Sequence, residues 1–152
     1  MNVGLSASLA GEKYLQSVVT AGGITTIEST SIYASVENAD ADNVRTCPCV
    51  IVFATGASEF PHRTGNFNLD LHFKVVASAN DTTADDFASM YQEIFDNLNT
   101  DTIIADLSSV SGVAFTAHGF FDDVKESNQT IEGEKRVVEM VFPINCCASN
   151  IS

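Results

Sequence analysis

The chain of 152 residues has the length of a single domain, and its 45% hydrophobic content is too high for a disordered chain. The formal net charge of −13 excludes a protein that holds nucleic acid mainly through phosphate contacts, because those contacts need Lys and Arg. No apolar run reaches the ~18 residues of a membrane span, and the N-terminus lacks a leader pattern, so we expect a cytoplasmic chain without membrane contact.

The first predicted element is a short N-terminal helix in GEKYLQSVVTAGG, residues 11–23. Its apolar side chains recur with helical spacing, and the Gly-Gly pair that follows them is a common helix end. The apolar face would comprise Tyr14, Leu15, Val18 and Val19. Residues 24–46 show only weak alternation and contain the polar stretch ENADADN, so this segment is predicted to be mostly irregular.

Two strands are predicted next. CVIVFAT, residues 49–55, is a continuous apolar run that is typical of a strand buried on both faces. GNFNLDLHFKVVAS, residues 65–78, alternates between apolar and polar side chains, which predicts a long strand with one buried face. The apolar face comprises Phe67, Leu69, Leu71, Phe73, Val75 and Ala77. The other, polar face comprises Asn66, Asn68, Asp70, His72 and Lys74 and ends at Val76.

The clearest helix is predicted in ANDTTADDFASMYQEIFDNLNTD, residues 79–101. Apolar residues follow one helical face: Phe87, Met90, Tyr91, Ile94, Phe95 and Leu98. Thr82 or Thr83 can cap the start, and Asp85 and Asp86 lie where the helix dipole favours anions. The next stretch, DTIIADLSSV, is predicted to add one or two helical turns.

The last predicted strands lie in residues 112–123 and 134–145. In the first, alternation would place Val113, Phe115, Ala117, Gly119 and Phe121 on one face. In the second, one face holds Val138, Met140, Phe142 and Ile144. The opposite face holds Val137, Glu139 and Val141 and is partly apolar. The polar stretch DVKESNQTIEG, residues 123–133, is predicted to be a long hairpin connection.

This order of helix, strand, strand, helix, strand, strand predicts an α+β fold. We expect a four-stranded, mostly antiparallel sheet, with one long helix and the short N-terminal helix packed on one face. A single domain would span residues 1–152, with the N-terminal helix and irregular segment in 1–46 and the core sheet-helix unit in 47–146. Because the far face of the sheet is partly apolar, we expect it to be covered by the N-terminal segment or by another subunit.

No catalytic motif is present: the sequence lacks Gly-x-Ser-x-Gly, a P-loop, His-Glu-x-x-His and Gly-x-Gly-x-x-Gly. His62 falls in a turn, while His72 and His118 would approach each other only if their strands pair. We therefore predict no catalytic, cofactor-binding or metal-binding residues, and we expect a protein that is not an enzyme.

The four cysteines form two tight pairs, Cys47-Pro48-Cys49 and Cys146-Cys147. Zinc ligands are usually separated by two to four residues, and redox pairs favour Cys-x-x-Cys, so neither pair fits these sites. The sequence therefore predicts reduced, structural thiols.

Four pieces of the chain, residues 48–54, 67–77, 87–98 and 113–142, follow one another as a Pro-led apolar strand, a long alternating strand, a helix and a closing pair of strands. In this order the sequence resembles the tail-terminator and tail-completion proteins of long-tailed bacteriophages. The resemblance does not extend to the Cys-Pro-Cys start or to the segment before it, so it leaves the N-terminal third unassigned.

The resemblance implies a structural virion protein. Members of this family form a closed ring, commonly hexameric, at the head-proximal end of the tail, where it ends the tail tube and joins it to the head connector. The implied partners are further copies of the chain, the tail tube protein and the head–tail connector or adaptor protein, while DNA passes through without specific binding. The implied location is the neck of the virion, after assembly in the cytoplasm of the bacterial host.

A head-to-tail ring needs two different contact patches on each subunit. The candidates for a subunit interface or a channel-facing surface are Asn66, Asn68, Asp70, His72, Lys74, Val137, Glu139 and Val141. A merely solvated strand face is the alternative to such an interface. The alternative functions are another phage neck, head-completion or tube component, a non-enzymatic soluble binding module, and a small enzyme of unknown type.

Overall fold

The computed structural model of the protein describes residues 3–34, 48–56 and 67–147. The helices are α1 (Val3–Thr20), α2 (Ala84–Leu98) and α3 (Ile103–Ser108), with a 3-10 turn at Ser29–Ser31. The strands are β1 (Ile32–Ala34), β2 (Cys49–Thr55), β3 (Phe67–Ser78), β4 (Thr116–Phe120), β5 (Lys125–Glu126), β6 (Thr130–Glu132) and β7 (Lys135–Cys147). No helix in these ranges is long and apolar enough to cross a membrane.

The seven strands form one mixed sheet. Its centre is antiparallel, with β3 between β2 and β7, and β1 adds to β2 in parallel. On the other side of β7, the short strands β4, β5 and β6 pair with it one after another. Together these three strands act as a single interrupted edge strand.

The predicted four-stranded sheet is therefore wrong, although the α+β class agrees with the structure. β1 could not be predicted from the sequence, because a three-residue strand is too short to show alternation and its pairing with β2 depends on tertiary contacts. β5 and β6 could not be predicted either. Their side chains are all exposed, so the polar connection 123–133 shows no buried face that would indicate a strand. The connection is instead part of the sheet.

The predicted short N-terminal helix is also wrong, because α1 runs for 18 residues. Most of the buried positions in its first half are small, which conceals the amphipathic pattern: Gly4, Ser6, Ala7, Ser8, Ala10 and Gly11. These residues let the helix approach the sheet closely. A Cβ at Gly11 would lie 2.8 Å from Val52 Cγ1 and 3.0 Å from Phe73 Cζ, so only glycine fits there.

The predicted strands at residues 49–55 and 65–78 and the predicted helix within residues 79–101 are confirmed as β2, β3 and α2. Every residue of the predicted apolar face of β3 is buried in the main core. Thr83 caps α2, because its hydroxyl accepts a hydrogen bond from Asp86 N at 3.2 Å. In α2, Phe87, Met90, Ile94 and Leu98 are buried, whereas Tyr91 and Phe95 are only half-buried. The added helical turns are α3.

The predicted face of residues 113–121 is confirmed as far as Ala117, since Phe115 and Ala117 are buried in the main core, and it is wrong beyond Ala117 because β4 contains a bulge. The register pairs Ala117 with Cys146 and then Gly119 with Asn145, and it skips His118. Cys146 belongs to the main core, whereas Asn145 bonds to a polar residue of β3 on the opposite face. A bulge inserts one residue and reverses the alternation, which a period-two pattern cannot foresee.

All three helices pack on one face of the sheet. The main core lies between them and that face, and its centre includes Phe73 and Phe142, whose rings meet edge to face at 5.5 Å and 84°. None of the described helices packs on the opposite face of the sheet, called here the outer face.

Candidate functional site on the outer face of the sheet

The outer face carries the predicted polar set. Successive cross-strand pairs place His72 opposite both Phe53 and Val141, and Lys74 opposite Ile51 and Glu139. The candidate residues on this face are Asn68, Asp70, His72, Lys74, Val137, Glu139 and Val141. Asn66 lies outside the described residues.

One end of the outer face is apolar and buried. Cys49, Ile51, Val76 and Val137 form a small second cluster, and none of them is more than 4% exposed. Tyr33 and Phe53 pack against this cluster. Tyr33 belongs to β1, so the N-terminal segment contributes to the predicted cover. A single chain already buries these residues, so they do not require another subunit.

A chain of hydrogen bonds crosses three strands in the middle of the outer face. Thr55 Oγ1 lies 2.9 Å from His72 Nε2, and His72 Nδ1 bonds to the Glu139 carboxylate. The ring of Phe53 stacks on the imidazole with centroids 4.5 Å apart and an interplanar angle of 7°. The imidazole is therefore held in one orientation by both of its nitrogens and by one face.

This carboxylate–imidazole–hydroxyl order is also the connectivity of a hydrolase triad. Thr55 lies directly opposite Asp70 in the register, however. A carboxylate at that position would repel the oxyanion that forms in acyl transfer, where a hydrolase places hydrogen-bond donors. The arrangement as described therefore suits a structural bridge between β2, β3 and β7 better than catalysis.

Most other polar residues of this face also pair across strands. Lys74 Nζ lies 3.5 Å from Glu132 Oε2 of β6, and Asn145 Nδ2 donates to Asn68 Oδ1 at 2.8 Å. Asp70 differs, because its carboxylate forms no hydrogen bond or ion pair with any residue in the described ranges. The polar pattern was predictable from alternation, whereas its partners depend on a register that joins residues 58–77 positions apart.

His72 and His118 do not approach each other, because their strands do not pair. β3 and β4 lie on opposite sides of β7, and His118 is exposed at the bulge. His62 lies outside the described residues. Within the ranges that the structure describes, no group of three or more His, Cys, Asp or Glu side chains could hold a metal ion.

The cysteines are split between the two faces. Cys49 is buried in the small outer cluster and Cys146 in the main core, and Cys146 and Cys147 are free thiols. Burial, with a smaller contribution from Cys147, raises the pKa of Cys146 to about 12 from its ordinary 9.0. A thiol with so high a pKa is protonated at neutral pH and is a poor nucleophile. Cys47 lies outside the described residues.

A second surface feature was not predicted from the sequence. A groove of about 460 Å³, called here the α1–α3 groove, lies between α1 and the end of α3, with Lys13, Tyr14, Asp106 and Val110 in its walls. Tyr14 donates its hydroxyl proton to Asn97 O at 2.8 Å. Burial, followed by the charge of Asp106, raises the pKa of Tyr14 above its ordinary value. The walls of the α1–α3 groove come from segments about 90 residues apart in the sequence, so no local sequence motif indicates the groove.

Comparison with known proteins leaves the family open: no protein-family model matches the chain, and no curated protein sequence matches it. A function for this chain has to come from the arrangement of its own residues.

Proposed function

We propose that this chain is a structural protein of a bacteriophage tail. In this proposal, copies of the chain form a closed, hexameric ring at the head-proximal end of the tail. The ring ends the tail tube and joins it to the head connector, and it needs no cofactor. Its place is the neck of the virion, after assembly in the cytoplasm of the host.

The observation that carries the proposal is the order of the elements. The strand β2, the strand β3, the helix α2 and the strand β7 follow one another at the residues on which the resemblance to tail-terminator proteins depends. In the described part of the chain the helices pack on one face of the sheet, and the proposal places subunit contacts on the other face. Fold likeness alone is an analogy, so assembly has to be measured.

One end of the outer face is accessible to solvent, which supports the proposal that this face contacts another subunit or lines a channel. Thr55 and Asn68 are exposed, and Asp70 lies between them without a partner in the described part of the chain. A carboxylate of this kind can bind a cation of a neighbouring copy. It can equally line a channel, where the charge of −13 would repel DNA and let it slide.

Light scattering coupled to size exclusion tests the proposal, with the wild type and two charge reversals. Asp70→Lys alters the outer face, whereas the control Asp101→Lys alters an exposed carboxylate in the turn after α2. We expect the wild type and the control to elute as a ring and Asp70→Lys as a monomer with an unchanged melting temperature. A wild type that stays monomeric at high concentration, and does not join tail tubes, contradicts the proposal.

One observation favours a second candidate function, acyl-ester hydrolysis. The bonds from Glu139 to His72 and from His72 to Thr55 would activate the Thr55 hydroxyl as a nucleophile. Asp70 opposite Thr55 opposes this chemistry, so we rank assembly first. A fluorophosphonate that labels the wild type but not Thr55→Val, detected by intact-mass spectrometry, would reverse the ranking.

A further inference from the structure

Phe121 is an exposed aromatic side chain on a fixed part of the backbone. It is 48% exposed directly after β4, and its backbone N–H donates to Pro143 O of β7 at 3.0 Å. The preceding Phe120 packs toward Phe142, with centroids 6.2 Å apart. An aromatic side chain on such a fixed backbone loses little conformational freedom on binding, which is typical of an interface anchor.

Two carboxylates follow this aromatic residue. Asp122 accepts a hydrogen bond from Asp123 N at 2.8 Å, and its second oxygen lies 3.8 Å from Lys125 Nζ. The Asp123 carboxylate forms no ion pair with the described residues. Phe121, Asp122 and Asp123 together are called the acidic tip. A surface that receives this tip needs an apolar recess beside a cation.

The α1–α3 groove has this chemistry. Tyr14 and Val110 supply apolar surface, and Lys13 stands at the wall. Among the Lys and Arg side chains in the described ranges, only that of Lys13 has neither a hydrogen bond nor an ion pair. The Asp106 carboxylate already accepts from Thr102 Oγ1 at 2.8 Å. A cavity of ~150 Å³ can hold benzene, so a groove of about 460 Å³ admits a phenyl ring.

We propose that the acidic tip of one copy of the chain inserts into the α1–α3 groove of the next copy. Phe121 would lie against Tyr14 and Val110, and Asp123 would face Lys13. The inference rests on the proposed ring and names one contact within it. The tip remains exposed within one chain, so a second copy is the occupant for which both complementary surfaces are present.

A contact between two different patches is heterologous, and repeated copies of it close into a ring when the rotation allows. Such a contact also explains how chains of charge −13 could associate. The local attraction between Asp123 and Lys13 would act where the overall charges repel.

Single variants test each half of the contact. Phe121→Ser removes the aromatic anchor, and Lys13→Glu reverses the charge at the groove. The matched control Ile131→Ser removes another exposed apolar side chain, 59% exposed, from the same edge of the sheet. By sedimentation velocity, we expect each of the first two changes to raise the concentration needed for assembly by about tenfold or more, and the control to assemble like the wild type.

A mixture of the two variants tests the heterologous geometry. Phe121→Ser chains keep an intact groove and Lys13→Glu chains keep an intact tip, so an equimolar mixture should form one good contact per pair. Native mass spectrometry should then show one-to-one heterodimers and no ring. The double variant Lys13→Glu/Asp123→Lys restores opposite charges and should recover assembly in part.

The failures of this inference and of the proposed function are distinguishable. If the wild type forms rings and Phe121→Ser and Lys13→Glu form them equally well, this contact is wrong while the ring stands. A mixture that stays monomeric also overturns the contact. If the wild type itself never assembles, both the contact and the ring are wrong. A ring that is insensitive to Phe121→Ser but blocked by Asp70→Lys assigns the interface to the outer face instead.

Discussion

Glu93 shows how one side chain can fix a loop. Its carboxylate accepts hydrogen bonds from Thr25 N at 2.8 Å and Thr25 Oγ1 at 3.0 Å. It also accepts from Thr26 N at 3.2 Å and Thr26 Oγ1 at 2.9 Å. These bonds tie the segment between α1 and β1 to α2, across a sequence separation of 67–68 residues. From the sequence, Glu93 looks like any other acidic residue on the polar side of a helix, so this set of bonds, called here the Glu93 tether, could not be predicted.

The Glu93 tether predicts a pH-dependent contribution to stability. Partial desolvation raises the pKa of Glu93, but the four hydrogen bonds from Thr25 and Thr26 lower it more, so it lies below its ordinary 4.5. A carboxylate with a lowered folded-state pKa stabilises the fold above 4.5 and loses this effect as the pH falls through the lowered value. Because the group remains partly exposed to solvent, we expect Glu93→Gln to cost only about 1 kcal/mol at neutral pH.

Urea melts of the wild type and Glu93→Gln at neutral pH and at a pH below the lowered pKa of Glu93 measure this effect. The difference between the two proteins should shrink at the acidic pH. The control Asp96→Asn changes another acid on the same helix, which bonds only to Gln92 in the described ranges, and should show a smaller difference. A Glu93→Gln difference that stays constant with pH would show that the carboxylate charge plays no part.

At the scale of elements, the long alternating and amphipathic segments were predictable and the short or irregular ones were not. β3, α2 and β7 each place many apolar residues at one period, and that repetition fixes the buried face, while β2 is a continuous apolar run that is typical of a strand buried on both faces. β1, β5 and β6 hold only two or three residues each, and their pairing is imposed by β2 and β7. On the outer face, alternation predicted which residues share the surface. The hydrogen bonds of His72 could not be predicted, because they depend on the register in which β2, β3 and β7 pair.

The buried face of α2 predicts unequal effects of two phenylalanine truncations. Phe87 is 1% exposed in the main core, so Phe87→Ala should lower the free energy of unfolding by about 3–5 kcal/mol. Phe95 is half-buried and stacks near Tyr91 with ring centroids 6.0 Å apart, so its truncation should cost clearly less. Chemical denaturation of both variants gives the two values. Equal losses would mean that the helix is rotated relative to this description.

The contact of α1 with the sheet predicts that a helix-favouring change will destabilise. Alanine is preferred to glycine in helices by about 1 kcal/mol. At Gly11, however, the added Cβ would lie 2.8 Å from Val52 Cγ1 and 3.0 Å from Phe73 Cζ. Overpacking of this kind costs about 1–3 kcal/mol, so Gly11→Ala should lower the melting temperature. Gly119→Ala, where an added Cβ meets nothing within 4 Å, is the control. A gain in stability at Gly11 would show that α1 does not pack this closely.

At the scale of the whole molecule, the described chain has chemically different surfaces around one helix-backed sheet. The outer face joins a small buried cluster to a polar surface with Asp70 near its exposed end. The acidic tip lies at one edge of the sheet, and the α1–α3 groove lies on the helical side. Several distinct patches on one subunit are what a head-to-tail ring needs. The proposed ring would depend on contacts between copies, which neither the periodicity of the sequence nor the structure of a single chain can specify.

The most direct test of the proposed ring is negative-stain electron microscopy of the purified wild-type protein at high concentration. We predict closed rings of uniform diameter, with sixfold symmetry in end-on views, because a heterologous contact that closes gives one size of assembly. Fields that contain only single subunits at every concentration, or open filaments in place of rings, would contradict the assignment of this chain to a ring at the end of a phage tail.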